Sequence, residues 1–297
     1  MVSLRARTLN VMIRLLVKRR LGGTRDLAKA RAILGGNRLP TPTGVACADA
    51  VLGGVPGEWV TRKRGEGAAP VLLYLHGGGY LACSPRTHRP ITASFAKAGF
   101  AVFAPDYRLA PEHPFPAAVD DAEAAWDALV AAGHDAGGIA VAGDSAGGGL
   151  ALALMIRLRD KHKTLPAAAA LFSPWTDLAG TGESFRSNAK RDPMFVPSSV
   201  LEAAGWYLNG ADPRTPEASP CYAALGGLPP LFIEVGEREI LRDDSTRIAT
   251  RAQAAGVSVT LTIWPVVPHV WQIACGFLPE ARLSLKRAAA FLHEHTG

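Results

Sequence analysis

The stretch Gly143-Asp144-Ser145-Ala146-Gly147-Gly148-Gly149 decides how the rest of the chain is read, because it sets Ser145 at the centre of a G-x-S-x-G pattern. Before it, Gly138-Ile139-Ala140-Val141-Ala142-Gly143 is short, apolar and bounded by glycine, which predicts a buried strand. After it, Leu150 to Arg159 is rich in Ala and Leu, which predicts a helix. A strand that turns straight into a helix needs small residues at the bend. Gly143, Ala146 and Gly147 supply them, so the serine can be held in a strained conformation with its hydroxyl exposed. A chain with 31 glycines also produces this pattern by chance, so the flanking strand and helix carry the weight.

Toward the amino terminus, Val71-Leu72-Leu73-Tyr74-Leu75 is a continuous apolar run that suits a strand buried on both faces, and it ends in His76-Gly77-Gly78-Gly79-Tyr80. Three glycines at a strand's carboxyl end let backbone N–H groups turn toward a ligand unobstructed, as an oxyanion hole requires. Farther back, residues 45–52 and 58–62, separated by the turn 53–57, predict a hairpin at a sheet edge. Downstream of the glycines come a helix over 91–98 and a strand over 100–104. The three prolines Pro111, Pro114 and Pro116 then make a rigid connection into a helix over 117–132. Beyond the serine helix, strands are expected at 167–172, 231–235 and 257–263, and helices at 245–255 and 279–295. The alternation predicts one α/β domain over 1–297, without repeats or linkers.

Two stretches break the alternation. Residues 3–20 set Leu4, Thr8, Val11, Met12, Leu15 and Leu16 on one helical face and Arg7, Arg14 and Lys18 on another. The apolar face is expected to dock on the protein as a lid would, the alternative being a membrane surface. Residues 180–215 scatter apolar anchors among polar residues, as an inserted cap segment would.

The net charge of +6 is concentrated at the start. The first 25 residues hold seven Arg and Lys and no acid, leaving 25 basic against 26 acidic residues elsewhere. With no basic stripe interleaved with aromatics, nucleic acid is not expected as a partner. Cys47, Cys83, Cys221 and Cys275 lack metal-ligand spacing, the glycine loop lacks the dinucleotide pattern, and no cofactor or metal is expected. Arg14 interrupts the apolar run of residues 11–17, no cleavage site follows, and no apolar run is long enough for a membrane span. A cytoplasmic protein without stable membrane insertion is the expectation.

Besides the two glycine motifs, Tyr107-Arg-Leu-Ala-Pro-Glu-His-Pro-Phe-Pro-Ala-Ala118, Ser173-Pro-Trp-Thr-Asp177 and Asp212-Pro213 make the chain resemble the hormone-sensitive-lipase-like family of α/β-hydrolases, the bacterial carboxylesterases. The match runs from the glycine loop to the carboxyl terminus. It implies an α/β-hydrolase fold, with an eight-stranded, mostly parallel sheet flanked by helices, and a helical cap formed by about 1–40 and about 180–215. More narrowly, Gly53-Gly-Val-Pro-Gly-Glu-Trp-Val60 and Pro268-His-Val-Trp271 resemble members that hydrolyse acetyl esters or ε-lactones.

The resemblance implies Ser145 as nucleophile and His269, in the loop after the last strand, as base. Glu239 is the expected acid, by its place in the loop after strand 231–235. Asp243 and then Asp177 remain as alternatives, although Asp243 and Asp244 stand where the next helix begins and suit caps. The N–H groups of Gly78, Gly79 and Ala146 are expected to form the oxyanion hole, with Gly77 shaping the loop. Tyr80, Trp206, Tyr207 and Trp271 are expected to line the substrate pocket. The implied function is a serine carboxylesterase acting on small-molecule, short-chain acyl esters through an acyl-enzyme, with a homodimer allowed. The alternatives are lactone or amide hydrolysis at the same site. From another class comes a non-catalytic ligand receptor of this fold, as in the plant gibberellin receptors, against which the presence of His269 argues.

Overall fold

A computed structural model describes residues 3–21, 26–35, 41–63 and 69–297. Parts of the expected amino-terminal cap, at 1–2, 22–25 and 36–40, lie outside the described residues.

The central strands have no polar face because helices cover them on both sides. Leu73 and Leu75 of β3 (Val71–Leu75), Val141 of β5 (Ile139–Asp144) and Ile233 of β7 (Leu231–Gly236) point into one core. Leu72 and Tyr74, Ala140 and Ala142, and Phe232, each one residue out of phase with these, point into the other. This period-2 division explains why the sequence shows continuous apolar runs here, not alternation. Helices α5 (Ala117–Ala131), α6 (Ala146–Asp160) and α9 (Arg242–Ala254) cover the first face, and α4 (Arg89–Lys97) and α10 (Pro279–His295) the second. Each fully buried aliphatic side chain stabilises this arrangement by about 1.5–3 kcal/mol.

With β1 (Val45–Leu52), β2 (Val55–Arg62), β4 (Ala101–Pro105), β6 (Ala169–Phe172) and β8 (Val259–Trp264), the sheet has eight strands in the order β1-β2-β4-β3-β5-β6-β7-β8. Only the β1–β2 and β2–β4 pairs are antiparallel. The expected fold class is therefore the observed one. The hairpin turn is tighter than expected: Gly53 and Gly54, with φ of 59° and 80°, make it alone, and β2 starts at Val55.

The remaining helices gather over the carboxyl ends of the strands. They are α1 (Leu4–Ile13), continued by a π-helical stretch (Arg14–Lys18) and α2 (Arg19–Leu21), then α3 (Leu27–Gly35), α7 (Glu183–Ser187) and α8 (Pro197–Leu208). The two expected cap segments touch: Arg14 Nη2 donates to the carbonyls of Lys190 and Arg191, and Lys18 Nζ to those of Ala189 and Asp192.

The face by which α1 docks is not the expected one. Ala6 is fully buried and Leu9 packs beside it, against Val267, Trp271, Leu278 and Ala281. Asn10 Nδ2 donates to Val266 O at 3.1 Å. Glu280 accepts from the N–H and hydroxyl of Ser3, which in turn caps α1. These contacts set the helix's rotation through small and polar residues that permit close approach, and they turn Leu4, Val11, Met12, Leu15 and Leu16 outward.

Candidate active site

Ser145 joins β5 to α6 with φ 52° and ψ −124°, a conformation that costs a non-glycine residue of order 1–3 kcal/mol. Its surroundings hold it there. Ser145 N donates to Phe172 O at 2.9 Å, and Ser145 O accepts from Trp175 N and Gly149 N. The bend brings α6 so close to β3 that a Cβ on Gly147 would collide with the carbonyl oxygen of Leu75. The expected elbow is thus present, and α6 begins immediately at Ala146.

His269 sits in the loop after β8, as expected, and its Nδ1 lies 2.6 Å from Glu239 Oε2. An ionised carboxylate can only accept, so Nδ1 carries the proton and Nε2 keeps its lone pair. Nε2 has no hydrogen-bond partner among the described residues, and His269 and Ser145 line the same cavity. Glu239 is fully buried and fixed from the other side, its Oε1 accepting from Gly236 N at 2.6 Å and Ser173 Oγ at 2.7 Å. Burial opposes protonation of His269, but the charge of Glu239 and its hydrogen bond outweigh that and hold the imidazole pKa above its ordinary value.

The rival carboxylates are engaged elsewhere. Asp177 takes Arg247 Nη1 at 2.6 Å, together with Thr181 and Tyr222. Asp243 accepts from Ser184 N at 2.7 Å, and Asp244 from Thr176 N and Asp177 N. The expectation that Asp243 and Asp244 cap their own helix fails. α9 begins at Arg242 with no side-chain cap, and both carboxylates instead bind backbone N–H groups of the neighbouring segment.

In the glycine loop, Gly78 and Gly79 take φ of 124° and 65°, and a Cβ on Gly78 would strike the Ala82 carbonyl. No hydrogen bond among the described residues takes the N–H of Gly78, Gly79 or Ala146. Gly77 N is used differently: it donates to Asp144 Oδ1 at 3.1 Å.

Asp144, which the sequence reading passed over, is a hub. Its carboxylate also accepts from Tyr74 OH at 2.6 Å and lies 3.3 Å from His88 Nε2. It thereby ties the glycine loop to the residue preceding Ser145. Tyr107 OH adds a second anchor, donating to His76 O at 2.6 Å. Burial and neighbouring His88 push the His76 pKa down to about 3, so His76 stays neutral. A readable signal existed, since an acid inside a fully apolar strand must be buried and therefore needs partners.

Asn188 and Asp192 were also missed, and for them the sequence offers no signal. Asn188 Nδ2 donates to the carbonyls of Glu237 and Glu239 at 3.0 and 2.9 Å. Asp192 accepts from Ile240 N, Met194 N and Phe195 N. The 180–215 segment thus grips the Glu239 loop, and Phe195 sets its ring edge-on to His269 at 4.9 Å.

The cavity above Ser145 measures about 460 Å³ and is walled by Ile13, Val17, Met194, Phe195, Val200 and Trp206 among others. Of the four aromatic residues expected there, only Trp206 lines it. Tyr80 and Tyr207 instead stack on each other beneath the floor, centroids 3.8 Å apart, and Trp271 packs on Trp264 and the α1 contact. Large flat side chains find more contact in the core than at a partly open wall. Among the described residues no cluster of His, Cys, Asp or Glu has metal-holding geometry.

Residues 72–273 match the family described as alpha/beta hydrolase fold. An acetyl-hydrolase of Streptomyces hygroscopicus is 45% identical over 256 residues, covering 86% of this chain and 85% of that protein. An esterase of Acinetobacter venetianus is 36% identical, covering 81% and 79%. The crystal structure of an esterase from the bacterial hormone-sensitive lipase family superposes with a TM-score of 0.92 at 42% identity, over the full length of both chains.

Proposed function

Since this chain belongs to the bacterial hormone-sensitive-lipase family of α/β-hydrolases and is a carboxylic-ester hydrolase, we propose that Ser145, His269 and Glu239 carry its reaction and that relatively short acyl esters are its substrates. The observation that carries the assignment is the 2.6 Å contact between Glu239 Oε2 and His269 Nδ1, with Nε2 left unbonded beside Ser145 in one cavity.

In this reading Nε2 takes the proton as Ser145 Oγ attacks the ester carbonyl, and the imidazolium that forms is stabilised by Glu239. The N–H groups of Gly78, Gly79 and Ala146 receive the tetrahedral oxyanion. One such donor is worth on the order of 10²–10³ in turnover, and donors already unpaired need no reorganisation. His269 then returns its proton to the departing alcohol oxygen, leaving the acyl group on Ser145. Water, deprotonated by the same Nε2, attacks the acyl carbon, and the acid leaves as Ser145 Oγ recovers the proton.

The described segments 3–21 and 26–35, together with 180–215, act as a cap in this reading. They supply Ile13, Val17, Met194, Phe195 and Trp206 to the wall and keep water from the acyl pocket. A preference for small acyl groups is supported by the acetyl-hydrolase relative. A cytoplasmic location fits the four free cysteines. A panel of p-nitrophenyl esters of rising acyl length, with lactones and anilides alongside, tests the substrate class. Specificity peaking at short acyl esters is expected, and a peak on long acyl chains or on anilides would overturn it.

A further inference from the structure

The helix formed by α1 and its π-helical continuation has two apolar sides, and the protein uses only one. The inner side, through Ala6, Leu9, Ile13 and Val17, packs on the body and walls the cavity. The outer side leaves Leu4, Val11, Met12, Leu15 and Leu16 between 47% and 80% exposed. Leu4, Val11 and Leu15 recur at helical spacing and so form one strip. Phe277, 49% exposed, extends it at one end, where Arg5 lies over its ring at 5.4 Å and donates to its carbonyl. Singly exposed apolar residues are ordinary, whereas a contiguous strip on one helix marks a contact surface.

The charges beside the strip say what covers it. Arg5, Arg7, Arg19 and Arg20 are exposed along the same segment, Arg14 being turned to the Lys190 and Arg191 carbonyls, and the first 25 residues contain no Asp or Glu. Of the acids near the helix, Glu280 is buried and holds Ser3, and Asp192 is buried among backbone N–H groups. Outside this segment the chain is close to neutral, so the positive charge is a local feature of this face. No helix among the described residues is long and apolar enough to cross a membrane.

We propose that the outer face of α1 and the π-helical stretch is a docking surface for an anionic lipid bilayer. The helix lies in the headgroup plane, with Leu4, Val11 and Leu15 inserted shallowly and the arginines at the phosphates. A second copy of the chain fits this surface worse, because a two-fold contact would bring together two arginine-bearing strips with no Asp or Glu in the first 25 residues of either. Ile13 and Val17 on the inner side wall the cavity, so a docked bilayer lies about one helix diameter, roughly 10 Å, from the acyl pocket.

The test is cosedimentation of the full chain with phosphatidylcholine vesicles, with and without phosphatidylglycerol, at low and high salt. It reads binding, not turnover, and so stands apart from the assignment of the catalytic residues. At least about tenfold tighter binding to the anionic vesicles is expected, lost at high salt as screened charges weaken. The triple variant Leu4→Gln, Val11→Gln, Leu15→Gln is expected to lose about tenfold or more of that binding, with hydrolysis of a soluble acetate ester unchanged. Should the triple variant fail to fold, Arg7→Gln with Arg19→Gln replaces it, with loss confined to anionic vesicles expected. Equal binding to neutral vesicles, no binding at all, or variants that bind like the parent would overturn the proposal. So would light scattering that shows a dimer which the triple variant converts to monomers.

Discussion

Asn188 donates its side-chain amide to the backbone carbonyl of Glu239 at 2.9 Å, so a residue of the 180–215 segment holds the loop whose side chain holds His269. The same amide takes the Glu237 carbonyl. Asn188→Ala leaves both carbonyls short of a donor, each costing on the order of 1–3 kcal/mol where buried. The expected outcome is a kcat lower by about tenfold or more with KM little changed, measured by steady-state kinetics on a short ester. A rise in KM alone would mean the segment binds substrate without positioning Glu239.

Glu239→Gln is expected to lower kcat by about 10³–10⁴, as loss of the charged partner of a catalytic histidine does, with little change in thermal stability. Asp243→Asn is expected to keep activity, because its carboxylate serves Ser184 N and Arg242. Its loss should cost about 1 kcal/mol of stability. An active Glu239→Gln beside an inactive, folded Asp243→Asn would reverse the assignment.

The pH dependence has a definite sign. In the proposed mechanism His269 acts as a base only when neutral, and Glu239 holds its pKa above the ordinary 6.5 despite burial. The acid limb of kcat/KM is therefore expected to have its midpoint above 6.5, with activity rising as pH rises through it. In Glu239→Gln, burial is left with less opposition, and the residual activity should show its midpoint shifted down. A midpoint that does not move between the two proteins would contradict the coupling.

How much of this was legible in the sequence follows from which features are local. The conformations of the glycine loop and the serine elbow were legible because they are set by consecutive residues: Gly78 takes a φ closed to other residues, and Gly147 leaves no room for a Cβ. The central strands read correctly because burial on both faces leaves mostly apolar residues to use. Which of Glu239, Asp243 and Asp177 reaches His269 needed the structure, because it depends on which way each carboxylate leaves its loop. The docking face of α1 also needed it. Hydrophobic periodicity finds an apolar strip, but contacts at Ser3, Ala6 and Asn10 decided which side turns inward. Tyr80 and Tyr207 read as pocket residues because stacking in the core is a relation between distant segments.

Asp144 binds the N–H of Gly77 and stands next to Ser145, so it ties the proposed oxyanion donors to the proposed nucleophile. Asp144→Asn keeps an acceptor for Gly77 but removes the charge that His88 and Tyr74 OH face. The expected result is a kcat reduced by about 10–10² with KM nearly constant, since the donors act on the transition state. Unchanged kcat in a folded variant would leave Asp144 a purely structural residue.

The central claim, that Ser145 is the nucleophile, is tested most directly by reacting the protein with a p-nitrophenyl phosphonate and locating the adduct by peptide mass spectrometry. The account predicts one phosphonyl group, on Ser145, with activity lost in proportion to labelling, and no adduct in Ser145→Ala, whose ester hydrolysis is nearly abolished. An adduct on another residue that accounts for the inactivation, or a folded Ser145→Ala that still turns over esters at the parent rate, would contradict it.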